Sequence, residues 1–292
     1  MKEIDAFLEY LKYERNYSKE TTTSYSVDLL QFEEFAKECE LELKEVNPNT
    51  VREWIVQMMD KGYNASSINR KLSALRSFYK YLLKQGEITA DPMTKISGPK
   101  KKKPLPVFVK EKEMDRLLDD EDFGEGFKGC RDKLIIQLFY ETGMRLAELV
   151  GLNDADVDFG AKVIKVTGKR NKQRLIPFGT ELADAMQNYL SVRTQAIETL
   201  SDAFITNESG GRIERGKVQQ IVRQNLSKVT TVKKRSPHVL RHTFATTMLN
   251  HQAELGAIKE ILGHESLATT EVYTHTTFEE LKKAYNQAHP RA

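Results

Sequence analysis

From Gly98 to Pro104 the chain reads Gly-Pro-Lys-Lys-Lys-Lys-Pro, and that segment divides everything on either side of it. Proline lacks the backbone donor that a helix interior needs, and four adjacent lysines repel one another, so the segment has the composition of an extended linker. Asp91-Pro92 ends the helical pattern just before it. The expectation is two folded units, residues 1–97 and 107–292, joined by a basic linker at 98–106. A length of 292 residues suits this division, because a domain holds roughly 100 to 200 residues.

The first unit reads as all helix. Ile4, Phe7, Leu8 and Leu11 recur at helical spacing, and Tyr25, Leu29, Phe32 and Phe35 form a second stripe. A third helix is signposted by Asn47 as N-cap, Pro48 at the first helical position and Gly62 at its close. The fourth is predicted from about Ser66 to Gln85, with Ile68, Leu72, Leu75, Phe78 and Leu82 inward and Gly86 at its end. That arrangement leaves Arg70, Lys71, Arg76 and Lys80 for solvent or for a partner such as a DNA groove.

The second unit mixes periods. Helices are predicted at about Lys110 to Leu118, Arg131 to Tyr140 and, after Gly143 breaks the chain, from Arg145 through Leu149. Val163 to Val166 and Arg174 to Pro177 alternate like strands around the turn Gly168-Lys169-Arg170-Asn171-Lys172, which reads as a β-hairpin. Further helices are expected over about 180–198, 215–228, 237–250, 255–262 and 277–286. The fold class is therefore mainly α with a small β-hairpin or sheet.

Net charge is only +3, but it is unevenly placed. Residues 1–63 carry 8 basic and 14 acidic side chains, whereas 64–103 carry 10 basic and 2 acidic. Residues 162–174 hold six basic groups and 215–242 hold eight, neither with an acid. Positive charge gathered into a few segments suits faces that neutralise nucleic-acid phosphates, and Lys100, Lys101, Arg170 and Lys172 join the residues of the fourth helix as candidate contacts. The alternative for any one run is a solvated face.

No apolar run approaches the roughly twenty residues that span a bilayer, and Met1-Lys2-Glu3-Ile4-Asp5 carries acids where a signal peptide would be basic and then apolar. A cytoplasmic protein without a membrane partner is expected. Cys39 and Cys130 are far apart in sequence, which suggests neither a disulfide framework nor a zinc site; both are expected to be buried small hydrophobes.

The chemistry-bearing residues cluster late in the chain. His238-Val239-Leu240-Arg241-His242 is followed by Leu262-Gly263-His264 and then Tyr273, with Thr142-Gly143-Met144-Arg145 upstream. Two arginines supply planar donor forks that match phosphate oxygens. A tyrosine hydroxyl becomes a nucleophile once a neighbour takes its proton, and attack on phosphorus conserves the ester's energy in a phosphotyrosine. The set handles a phosphodiester with no metal and no cofactor. His238 and Arg241 are three apart and share a helical face, while Leu240 and Phe244 fall on the opposite side for the core. One rival is a metal phosphodiesterase in which His238 and His242 bind an ion with His264, although no carboxylate ligand stands near.

These motifs resemble the tyrosine recombinases, with Xer recombinases of bacteria the nearest likeness. The likeness covers nearly the whole chain and all six motif positions; the turn departs from the commoner Gly-Lys-Gly-Asn-Lys by Arg170. It implies an N-terminal helical, SAM-like core-binding domain and a C-terminal catalytic domain forming a C-shaped clamp around duplex DNA. By the same likeness Tyr273 is the nucleophile that leaves a 3′-phosphotyrosyl link. Arg145, Arg241 and His264 bind the non-bridging oxygens, Lys169 protonates the leaving 5′-oxygen, and His238 accepts the tyrosine proton.

The resemblance further implies a double-stranded recombination site as substrate and a tetramer on DNA, formed with itself or with a second Xer-type recombinase. An FtsK-type DNA translocase is a further implied partner, and resolution of chromosome dimers the implied role. Phe278, Leu281 and Tyr285 resemble the family's tail, which docks into a neighbouring protomer; packing on its own domain is the alternative. A mobile-element integrase or invertase, or a regulator that binds DNA without cutting it, are the other readings.

Overall fold

The computed structural model describes residues 2–101, 107–168, 172–199, 201–263 and 278–292. Lys169, Arg170, His264 and Tyr273 lie outside the described residues. Contacts divide the chain into two compact units, Met1–Pro104 and Leu105–Ala292.

The first unit consists of α1 (Lys2–Glu9), which runs on through a wider turn at Tyr10–Glu14, α2 (Lys19–Glu38), α3 (Pro48–Asp60) and α4 (Ala65–Gln85). The starts of α2, α3 and α4 each carry a side-chain cap. The Ser18 hydroxyl accepts from the backbone N–H of Thr21, the Asn47 carboxamide from Asn49 and Thr50, and the Asn64 carboxamide from Ser67. Phe7, Phe32, Trp54, Leu72, Leu75 and Phe78 fill the core between them.

One expectation fails on α4. Lys71 is not left for solvent: it is 3% exposed, and its Nζ donates to Asp28 Oδ1 at 2.9 Å and to Gln31 Oε1. Arg70, though exposed, pairs with the other oxygen of Asp28. Arg76 donates to the Ile96 carbonyl at 2.9 Å. Asp28 is 1% exposed on α2, and a carboxylate taken that far out of water requires a cation beside it. A buried acid on another helix decided where Lys71 and Arg70 went, whereas Arg76 turned to a backbone carbonyl. Lys80, Lys100, Lys101 and Lys172 are exposed. Cys39 is exposed rather than buried, and Cys130 is half-buried.

The second unit is built around α6 (Gly126–Thr142), which is buried along most of its length from Leu134 to Thr142. Its first turns are only partly buried and carry Gly126 and Gly129, and because glycine is a poor helix former the sequence expectation began the helix five residues late. Around it lie α5 (Glu111–Asp115), α7 (Leu146–Gly151), α8 (Thr180–Ala196), α9 (Arg215–Val229), α10 (Pro237–Asn250) and α11 (Leu255–Leu262). The expected hairpin is present as β2 (Val163–Thr167) and β3 (Gln173–Pro177), paired antiparallel with Lys165 opposite Leu175 and Thr167 opposite Gln173. A short β1 (Val157–Asp158), not anticipated, completes a three-stranded sheet in the order β1-β2-β3.

The last helix, α12 (Phe278–Ala288), packs on its own domain against β3, α10 and α11. Leu281 and Tyr285 are buried, and the His289 ring stacks on Tyr285 and Phe244. Arg291 then pairs with Asp115 at 3.3 Å and with Asp119 and Glu181. Within the single chain Leu281 and Tyr285 of the tail's stripe are covered in cis, while Phe278 is half-buried.

Candidate active site

Arg145 sits where α6 stops and α7 starts. Gly143 closes α6 in the left-handed region at φ 58°, and a Cβ there would fall 2.5 Å from Phe244 and 2.7 Å from Leu262. Glycine is thus required both by backbone angle and by close approach. Arg145 is the N-cap of α7, and the carboxylate of Glu148, one turn on, accepts from its backbone N–H at 2.7 Å and from its Nη1 at 2.8 Å. Glu148 is 1% exposed at its side chain while Arg145 keeps 41%, so the acid engages Nη1 of an arginine that is still partly open to solvent.

Arg241 comes from α10 and lies deeper, 7% exposed. Its Nη1 donates to the Gly143 carbonyl and its Nη2 to the Leu262 carbonyl, both at 2.6 Å. The next carbonyl, Gly263, accepts from Arg145 Nη2 at 2.8 Å, and the one before, Ile261, accepts from Arg174 Nε at 2.7 Å. The C-terminal end of α11 therefore presents three consecutive carbonyls to three arginines. Those carbonyls have no partner within the helix and carry the negative end of its dipole, so cations are their natural ligands.

The cluster's charge state follows from its crowding. Burial, with the like charges of Arg145 and Arg174, pulls the Arg241 guanidinium down to about 10, against the partial opposition of Glu148. Burial alone would raise the Glu148 carboxyl, but hydrogen bonds from Arg174 and from the Arg145 backbone outweigh it and leave it below the usual range. His238 is the second residue of α10, after Pro237. Burial, followed by His242, Lys234 and Arg241, depresses its imidazole, so it is neutral at physiological pH and available as a base. The His242 ring meets it edge-on at 4.6 Å.

Of the six residues expected to act, the structure brings together Arg145 and Arg241, with His238 in the field of Arg241. Lys169, His264 and Tyr273 lie outside the described residues, but the glycines that precede two of them are placed. A Cβ on Gly168 would lie 3.5 Å from Glu148 Oε1 and 4.0 Å from Arg145 Nη1, and Gly263 carries the carbonyl bound by Arg145. Sequence reasoning missed Arg174, which bonds both oxygens of Glu148, and it missed Glu148 as the common partner of Arg174 and Arg145. The available signal was modest: Arg174 ends an acid-free basic run and occupies an early strand position. Leu240 and Phe244 are in the core as expected.

Residues 108–280 match the Phage integrase family, and residues 4–86 match its N-terminal SAM-like domain. The chain belongs to the phage integrase family. It is a site-specific tyrosine recombinase of the Xer type. Among its relatives, tyrosine recombinase XerC of Chlorobaculum tepidum is 39% identical over 318 residues, spanning 99% of this chain and 94% of the relative. XerC of Staphylococcus carnosus is 38% identical over 288 residues, spanning 99% and 97%. Two solved structures share the family's fold. The XerH site-specific recombinase bound to palindromic difH substrate in a post-cleavage complex superposes with TM-score 0.75 at 23% identity, covering 96% of this chain and 83% of that one. The Tn1549 transposon integrase in complex with circular intermediate DNA gives 0.71 at 22% identity, covering 96% and 98%.

Proposed function

We propose that this recombinase cuts duplex DNA by attack of Tyr273 on a scissile phosphate seated between Arg145 and Arg241, leaving a 3′-phosphotyrosyl link and a free 5′-hydroxyl. The observation that carries this reading is the binding of both guanidinia to adjacent carbonyls, Gly263 and Leu262, with the Arg145 side chain still partly exposed. A phosphate placed there meets donors already fixed, which is the arrangement that stabilises charge building on phosphorus. It would also offset the repulsion that lowers Arg241. His238, neutral at working pH, takes the phenol proton, His264 adds a hydrogen bond to the non-bridging oxygens, and Lys169 protonates the leaving oxygen. Attack by a 5′-hydroxyl from a second duplex exchanges the strands.

The biological setting we infer is resolution of chromosome dimers at a terminus site in the cytoplasm. The support is identity of 38–39% across 99% of the chain to relatives named XerC. In this reading residues 1–97 hold the DNA, 98–106 link the two domains and 107–292 cut. Four such sites act as a tetramer, alone or with a second recombinase and under a DNA translocase of the FtsK type.

The test is a nicked suicide substrate carrying the site, incubated with the protein and boiled in SDS. A covalent adduct from the wild type and none from Tyr273→Phe is expected, with no loss in EDTA. An adduct from Tyr273→Phe sinks the nucleophile assignment, and activity lost in EDTA and restored by zinc revives the metal alternative. Failure to cleave the chromosomal terminus while recombining a mobile-element end would move the role to an integrase.

A further inference from the structure

Arg174 is the second residue of β3 and belongs to the basic run of residues 162–174. Its side chain is only 13% exposed. The fork that would grip a phosphate is occupied: Nη1 and Nη2 donate to Glu148 Oε1 and Oε2 at 2.6 and 2.8 Å, and Nε donates to the Ile261 carbonyl at 2.7 Å. A guanidinium so engaged on its carboxylate-matching edge is not a DNA contact.

Both of its partners also govern Arg145. Glu148 accepts from the Arg145 backbone at 2.7 Å and from its Nη1 at 2.8 Å. Ile261 lies two residues before Gly263, whose carbonyl accepts from Arg145 Nη2 at 2.8 Å. Without Arg174, Glu148 would be a buried acid held by one partly exposed cation, and the end of α11 would lose one of its three arginine contacts. The turn that leads on to His264 rests on the same side chain, since a Cβ on Gly263 would meet Arg174 atoms at 3.1 to 3.3 Å.

We propose that Arg174 is a positioning residue for strand cleavage, fixing Glu148 and the end of α11 so that Arg145 presents its guanidinium to the phosphate at one angle. The proposal rests on the role given to Arg145 above. It assigns Arg174 no contact with DNA, unlike the lysines of the same segment.

Arg174→Lys in the full-length protein keeps the charge but cannot bond both Glu148 oxygens and the Ile261 carbonyl from one plane. At saturating nicked substrate, adduct formation should slow about 10- to 100-fold, the penalty for a slightly misplaced catalytic group. Affinity for the uncut site should stay within about threefold, since binding and the chemical step separate for such a residue. In an Arg145→Ala background the same replacement should slow the residual reaction by less than about threefold, because the group it orients is gone.

A wild-type rate for Arg174→Lys, a full penalty repeated in Arg145→Ala, or a parallel loss of DNA affinity each overturns the proposal. Should Arg174→Lys melt near the assay temperature, Glu148→Gln weakens the same link and enters the same cycle with Arg145→Ala. Tyr273→Phe separates the two levels of the reading. If it still forms the adduct, the site assignment is wrong; if it is silent while Arg174→Lys runs at full speed, only the positioning role is lost.

Discussion

Arg145 and Arg241 bind neighbouring carbonyls of one helix end, Gly263 at 2.8 Å and Leu262 at 2.6 Å, although α7 and α10 bring them from distant parts of the chain. Their separation is thereby set by the Leu262-Gly263 backbone that closes α11, where Gly263 turns into the left-handed region at φ 63°, rather than by any contact between the two, which would repel. Replacing either with lysine keeps the charge but loses the planar fork. Adduct formation at saturating DNA is expected to fall about 100- to 1000-fold for each, the range for removing one preorganised donor. Gel-shift binding should change far less.

Cleavage at subsaturating DNA should follow a bell-shaped pH profile. The rising limb reports His238, whose midpoint lies below the ordinary 6.5 because burial and nearby cations disfavour its protonated form. The falling limb reports loss of the proton from the essential acid, which in this reading is Lys169. In His238→Gln the rate is lower and the acid limb disappears, whereas retention of that limb would assign it to another group.

Glu148 should make stability sensitive to acid. Its folded pKa lies below the ordinary 4.5, so its contribution is present above that value and is lost as pH falls through the folded one. Glu148→Ala leaves Arg174 buried without its acid and should cost about 3 kcal/mol at pH 7, read by urea denaturation.

Glu141 predicts the opposite slope. Burial, then the charge of Glu181, raises its carboxyl to about 8 against the opposition of Arg291 and Gln137. Stability from a raised acid is full below 4.5 and declines as pH rises toward 8. Glu141→Gln should therefore raise the melting temperature at pH 8.5 relative to the wild type and change it little at pH 5. Equal shifts at both pH values would contradict the assignment.

Two lysines of α4 should behave differently. Lys71→Ala strands the buried Asp28 carboxylate beside Arg70 alone and is expected to lower stability by about 3 kcal/mol. Lys80 is exposed, so Lys80→Ala should leave the melting curve unchanged, within about 0.5 kcal/mol. If Lys80 contacts phosphate, the same change weakens DNA binding and reduces its salt dependence. A stability loss at Lys80 with none at Lys71 would reverse the assignment of the two faces.

Much of the fold was legible because its signals are local. Asn47-Pro48 and Gly86 mark helix ends by backbone chemistry that needs no distant partner, and the stripe from Ile68 to Leu82 repeats at the helical period. The hairpin of β2 and β3 showed itself by alternation around a turn. β1 is only two residues long and exists because β2 offers it an edge, so nothing local announces it. The start of α6 was hidden by Gly126 and Gly129, poor helix formers that leave no local helix signal in its first turns.

By itself the sequence determined the two-unit division, the helical and hairpin segments, and the identities and order of Arg145, Lys169, His238, Arg241, His264 and Tyr273. Tertiary structure alone decided that Lys71 turns inward to Asp28, that α12 lies on its own domain, and that Arg174 grips Glu148. The physical reason is the cost of burying charge. Which cation meets which buried acid or helix-end carbonyl depends on the elements packed around it, and no spacing along one strand or helix encodes that choice.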